Sequence, residues 1–163
     1  MNAGTLVVGL GNPILGDDGV GWRVAESVRA NLDDPDVEVL CLSLGGLALM
    51  ERLAGYRRVI IVDAMDTGAA AGSLHFLTLQ ELDELTAQHT ACVHDLSLAA
   101  ALALGRELGV SLPEEIRVVG VEATTGLDFC EMLSPDIAAA VPGAARAVAA
   151  WLRRPPRRIG TTP

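Results

Sequence analysis

Short apolar runs rich in β-branched residues alternate along this chain with amphipathic segments of helix length. The clearest run is Arg58-Val59-Ile60-Ile61-Val62-Asp63, four consecutive β-branched residues closed by a carboxylate. A run this short and this apolar at every position fits a strand covered on both faces, as in a parallel sheet. Residues 5–10 read the same way and are stopped by Gly11-Asn12-Pro13. Residues 37–42 and 116–121 give two further strands, and residues 73–77 give one at an edge, where one face can stay polar. Between them, helices are expected over 18–32, 46–56, 79–86, 94–108 and 134–152. The first carries Val20, Val24 and Val28 on one stripe, with Arg23, Glu26 and Arg29 off it. The last has Ser134 as its cap, Pro135 at its first position and Pro142 inside, which should kink or split it. Strand and helix in this order predict an α/β fold. Its three layers are a mostly parallel twisted sheet of about five strands with helices on both faces.

Length and composition agree with one domain. The chain has 163 residues, half of them hydrophobic, and a mean hydropathy of +0.37, too apolar for a disordered chain. We assign residues 1–152 to a single domain and residues 153–163, with four Arg and three Pro, to a disordered tail. The net charge is -9 and every basic residue is Arg. Such a balance argues against a nucleic-acid partner, which needs a basic face to neutralise phosphates. No apolar run is long enough for a membrane span, and the first residues lack the pattern of a secretory leader, so a cytoplasmic monomer is expected. Cys41, Cys92 and Cys130 include no C-x-x-C pair. Free, mostly buried thiols are therefore expected rather than a disulfide framework or a structural zinc site.

In doubly wound folds ligands bind beyond the carboxyl ends of the strands. The segments there are 11–19, 43–46, 63–66 and 122–126. The first contains Gly9, Gly11 and Gly16 followed by Asp17 and Asp18. The glycine spacing departs from a dinucleotide fingerprint, and two acids occupy the helix start where a pyrophosphate would sit. One acid suffices as a helix cap, leaving the other free as a metal or proton ligand. Asp17 fits the cap. Asp63 is either a cap for the next turn or a residue of the crevice, and Asp66 reads as a solvated turn residue. His75 and His89 read as surface residues. His94 lies at a helix start, an element end like those of Asp18 and Asp63. Two carboxylates and an imidazole from three loops suit nickel, zinc or manganese and leave positions open for substrate. Cys92, two residues from His94, is a weaker candidate nucleophile.

These residues resemble a known family. Val8-Gly9-Leu10-Gly11-Asn12 with Leu15-Gly16-Asp17-Asp18-Gly19-Val20-Gly21 is similar to the first motif of the hydrogenase maturation endopeptidases. The strand Val59 to Ala64, His94 ahead of a helix, Val119-Gly120-Val121-Glu122 and Leu133-Ser134-Pro135 follow the family order over nearly the whole chain. The resemblance implies a peptide-bond hydrolase that trims a C-terminal peptide from the nickel-loaded large-subunit precursor of a nickel–iron hydrogenase. It also implies Asp18, Asp63 and His94 as a metal-binding and catalytic triad. The nickel would come with the precursor, and zinc or cadmium would serve as substitutes in vitro. Asn12, Asp17, Gly45, Gly46 and Glu122 are assigned to substrate binding, the two glycines because they let a peptide backbone approach closely. The chain has Ser43-Leu44-Gly45-Gly46 where the family often has Asp-Gly-Gly-Thr, and Glu122-Ala123 where it has Glu-Pro. These differences bear on the subtype of substrate. Two alternatives are a nickel-centre checking module that does not cut, and a peptidyl-tRNA hydrolase. The latter shares Gly-Leu-Gly-Asn-Pro but needs a basic surface.

Overall fold

The structure is a computed structural model that describes residues 4–87, 97–124 and 129–155. Among these, five strands form one sheet: β1 (Thr5–Leu10), β2 (Val37–Leu42), β3 (Arg58–Met65), β4 (Leu74–Thr78) and β5 (Glu115–Glu122). Their order is β2-β1-β3-β5-β4. All neighbours pair in parallel except β4, which runs antiparallel to β5 at the edge. The helices are α1 (Val20–Ala30), α2 (Gly46–Leu53), α3 (Leu79–Ala87), α4 (Leu98–Glu107) and α5 (Pro135–Leu152). The predicted α/β architecture is therefore the observed one.

Alternation along the strands builds a core on each face. Val7, Ile60, Val62, Val119 and Val121 face α1 and α5, where they meet Val24, Ile137, Val148 and Trp151. Leu6, Val8, Val59, Ile61 and Val118 face the other way, onto Leu49 and Leu53 of α2. Met50 of α2 packs in turn on Ala101 and Leu102 of α4. At the amino end of the sheet, the buried Arg58 side chain pairs with Glu115 at 3.1 Å. Its guanidinium also stacks on the Trp151 ring at 4.1 Å, fastening the end of α5.

Local details depart from expectation in instructive ways. The segment expected to start a helix at residue 18 first makes a 3-10 turn, Gly16–Gly19, before α1 begins. That turn is fixed by close contacts. A Cβ on Gly21 would lie 2.2 Å from the Leu10 carbonyl oxygen and 2.4 Å from that of Val62. One on Gly11, whose φ is +125°, would lie 1.9 Å from the Asp18 carbonyl oxygen. Strand β3 continues two residues past Asp63 to Met65. Pro142 does not split α5, which runs unbroken from Pro135 to Leu152. Helix α4 begins at Leu98 rather than at residue 94, because Ser97 is extended, with ψ of 152°, and caps the helix by accepting the Ala100 N–H at 3.1 Å. Of the expected tail, residues 153–155 are described, and the Arg154 carbonyl accepts a bond from Arg58 at 3.0 Å. Cys130 is exposed and Cys41 half-buried, against the expectation of mostly buried thiols, while Cys92 lies outside the described residues.

Candidate functional site

The carboxyl ends of β1, β2, β3 and β5 carry the segments singled out from the sequence. Asp63 sits near the end of β3 on the face shared with Val59 and Ile61, beside Gly120 of β5 in register. Its Oδ1 accepts the Ala64 N–H at 2.9 Å. Burial pushes the Asp63 carboxyl up, and the nearby charge of Asp18 pushes it further, to about 7, against the pull of the Ala64 N–H. Asp18, in the 3-10 turn, and Asp63, in β3, therefore share one local field. Two acids placed so that one opposes ionisation of the other form a site that favours a cation between them, or a shared proton.

Asp18 is held by its own loop. Its Oδ2 accepts the Asn12 N–H at 2.8 Å, while Asn12 Oδ1 accepts the Ile14 N–H at 3.2 Å. The loop is also tied to β2, since Ser43 Oγ donates to the Gly11 carbonyl at 2.6 Å. His94 lies outside the described residues, as do His89 and Cys92. Among the described residues no three metal-ligating side chains cluster, and the pair Asp18 and Asp63 is the part of the expected triad that can be placed.

Asp63 heads a cleft of about 390 Å³ between β3 and the loop before α2. Gly45 and Gly46 form one rim, Asp66 and Thr67 another, and Leu49, Leu82 and Val118 supply the apolar floor. Gly45 has open space where a Cβ would stand, so backbone from a partner can approach it. Asp66, read from the sequence as a turn residue, belongs to this wall.

Two residues assigned to substrate binding have their carboxylates engaged by the chain itself. Asp17 does not cap its own helix. Its carboxylate accepts the Ser134 N–H at 2.6 Å and the Ser134 hydroxyl at 2.8 Å, at the start of α5. Ser134, expected as the cap of α5, makes no side-chain bond to the helix's first turn; its N–H and its hydroxyl are both given to Asp17. Glu122 is 2% exposed. It accepts from Thr67 N–H at 2.7 Å, Thr67 Oγ1 at 2.8 Å and Ala69 N–H at 3.1 Å, and it pairs with His75 Nε2 at 2.8 Å. Burial opposes its charge, but these donors outweigh burial and hold Glu122 below the usual carboxylate range. His75, expected on the solvent face, turns inward to this carboxylate, and its neighbour Phe76 is the exposed one. Thr67 and His75 were not picked out from the sequence. Neither carries a local signal: the antiparallel register of β4 on β5 brings His75 to Glu122, and the loop between β3 and β4 brings Thr67.

A family model described as HycI, hydrogenase maturation protease, matches residues 22–151. The chain is 31% identical over 150 residues to the hydrogenase 2 maturation protease of Escherichia coli, covering 91% of this chain and 90% of that one. The fold is similar to that of the hydrogenase maturating endopeptidase HybD from E. coli, with a TM-score of 0.75, 29% identity and 92% of each chain covered. A hydrogenase expression/formation protein HupD from Thiocapsa roseopersicina is 26% identical over 133 residues, and the match spans 60% of that longer protein. Among the described residues no helix is long and apolar enough to cross a membrane. The profile match over most of the chain and the relative covered nearly end to end agree with the motifs and the fold: the chain belongs to the hydrogenase maturation protease family.

Proposed function

We propose that this protein is an endopeptidase that removes a C-terminal peptide from the nickel-loaded large-subunit precursor of a nickel–iron hydrogenase. The observation that carries the reading is that Asp63, at the head of the cleft, is pushed up to about 7 by burial and by the nearby charge of Asp18. Neighbouring acids of this kind are relieved by a divalent cation. Asp18, Asp63 and His94 are the groups proposed to meet the client's nickel, so that a loaded precursor binds and an empty one does not. Nickel arrives here as part of the substrate. When bound it can polarise the scissile carbonyl or acidify a water.

The chain's own contribution is to hold two carboxylates at fixed positions and to offer a peptide an accessible backbone rim. The Asn12 N–H orients Asp18, the end of β3 presents Asp63, and Gly45 leaves room for the client's main chain. The acidic body supports a protein client over RNA. A non-cutting checking module would use the same carboxylates and is separated by the assay below.

The test is a cleavage assay on nickel-loaded and nickel-free precursor from the same source, read by product mass. Loss of a C-terminal peptide from the loaded form only, abolished by Asp18→Ala, Asp63→Ala or His94→Ala, is the expected result. Nickel-dependent binding of the cognate precursor without cleavage would establish the checking module instead.

A further inference from the structure

We propose that Glu122 is a positioning residue, which fixes the 66–69 loop as a wall of the cleft beside Asp63 and thereby sets the affinity for the client without touching it. The inference rests on the function proposed above. An ionised carboxylate offers about four lone-pair sites. Glu122 uses its two oxygens to receive Thr67 N–H, Thr67 Oγ1, Ala69 N–H and His75 Nε2, all within 3.1 Å. At 2% exposure it has no face left for a substrate.

The same residue holds the far end of the loop through its backbone. The Gly72 N–H donates to the Glu122 carbonyl, and the Glu122 N–H donates to the Ser73 carbonyl, both at 2.8 Å. The segment from 66 to 73 has no helix or strand of its own. It turns at Gly68 and Gly72, with φ of +83° and +80°. Its inward-facing amides at Thr67 and Ala69 converge on one side chain, and that side chain sets where the loop lies. Asp66 and Thr67 line the cleft that Asp63 heads. The position of this wall relative to Asp63 is thus referred to Glu122.

Gly120 makes room for the arrangement. A Cβ there would lie 1.9 Å from the Met65 sulfur and 3.5 Å from His75 Cβ. Its absence lets Met65 and the His75 side chain lie over the strand just before Glu122. Glutamine at position 122 keeps the shape but has one acceptor oxygen, and its amide would face N–H donors.

The experiment measures KM and kcat for the nickel-loaded precursor, its Kd, and amide exchange at Thr67 and Ala69. It compares wild type with Glu122→Gln, Thr67→Val and Thr67→Ser. The expected result is a KM and Kd raised about tenfold in Glu122→Gln and Thr67→Val, with kcat changed no more than about twofold. Faster exchange at Ala69 should accompany this in both variants, and Thr67→Ser, which keeps the hydroxyl, should restore the wild-type KM. If Glu122→Gln does not fold, the two Thr67 variants decide. Unchanged KM and Kd in folded variants overturn the inference, as does a loss confined to kcat. Wild-type protein that binds the precursor without cutting overturns the proposed endopeptidase but leaves this inference to be decided by Kd and exchange. Wild-type protein that neither binds nor cuts overturns both.

Discussion

Asp17 grips Ser134 at both of its polar atoms across 117 positions of sequence, with the N–H at 2.6 Å and the hydroxyl at 2.8 Å. Beside this clamp the Gly16 N–H donates to the Cys130 carbonyl at 2.6 Å, and the Cys130 N–H to the Ile14 carbonyl at 2.9 Å. The loop that carries Asp18 is therefore anchored to the segment leading into α5. Asp17→Ala should destabilise the fold by about 1–2 kcal/mol, the cost of losing two hydrogen bonds to a charged acceptor at a solvent-exposed site. Ser134→Ala keeps the backbone bond and should cost less. Because the two residues act as one unit, the double variant should match Asp17→Ala rather than the sum. Urea denaturation of the four proteins checks this.

The raised Asp63 carboxyl makes metal-free stability depend on pH. The group titrates near 7 when folded and near 3.8 when free, so between these values the folded chain holds the extra proton. Its contribution to stability is complete below about pH 4 and is lost as pH rises through about 7. Wild-type protein in chelator should thus lose on the order of 4 kcal/mol from this group between pH 4 and 8. Asp63→Asn should flatten that slope and be the more stable protein at pH 8. Denaturation curves at several pH values give the answer, and an equal slope in both proteins would refute the assignment.

A divalent ion should reverse that preference, since a metal ligates the ionised carboxylate and releases its proton. Zinc serves as the probe for the isolated protein. Asp18→Asn and Asp63→Asn should each weaken zinc binding by about tenfold or more, with stronger wild-type binding at pH 8 than at pH 6. Calorimetry in two buffers of different ionisation heat would detect the released proton.

Two glycines near the site should behave in opposite ways. Gly21→Ala drives a methyl group into the Leu10 and Val62 carbonyls and should cost at least about 3 kcal/mol. Gly45→Ala meets no atom within 4 Å and sits at a φ of -139°, open to any residue. Its melting temperature should stay within about 2 °C of wild type. Its KM for the precursor should rise if client backbone passes over this rim.

The sheet was legible because β1 and β3 carry unbroken apolar runs at their centres, Leu6–Val8 and Val59–Val62, a pattern few other elements need. The bounds of β1 and β2 follow directly from their runs, 5–10 and 37–42. The partnership of Asp18 with Asp63 was legible from topology, since both stand at carboxyl ends of adjacent strands. The destinations of Asp17 and Glu122 were not, for a physical reason. Asp17 lies in the turn after β1 and Glu122 ends β5, and what satisfies them comes from Ser134, Thr67, Ala69 and His75. Those pairings depend on the register of β4 against β5 and on the path into α5, and local patterning encodes neither. Pro142 misled in the other direction: a helix packed along its length on a sheet and on α1 can absorb one missing backbone bond.

The reversed direction of β4 has an architectural consequence. Because this strand starts at the same end of the sheet where β3 stops, its connection never has to cross to the far side. A parallel strand there would have required a return crossover and a covering helix. The chain instead spends these eight residues, 66–73, as a surface hoop beside Asp63, braced from below by Glu122. Such a hoop can be lengthened or recomposed while the layered apolar core beneath it stays as it is. On the proposed function, changes in this hoop should alter the choice of client without altering the fold.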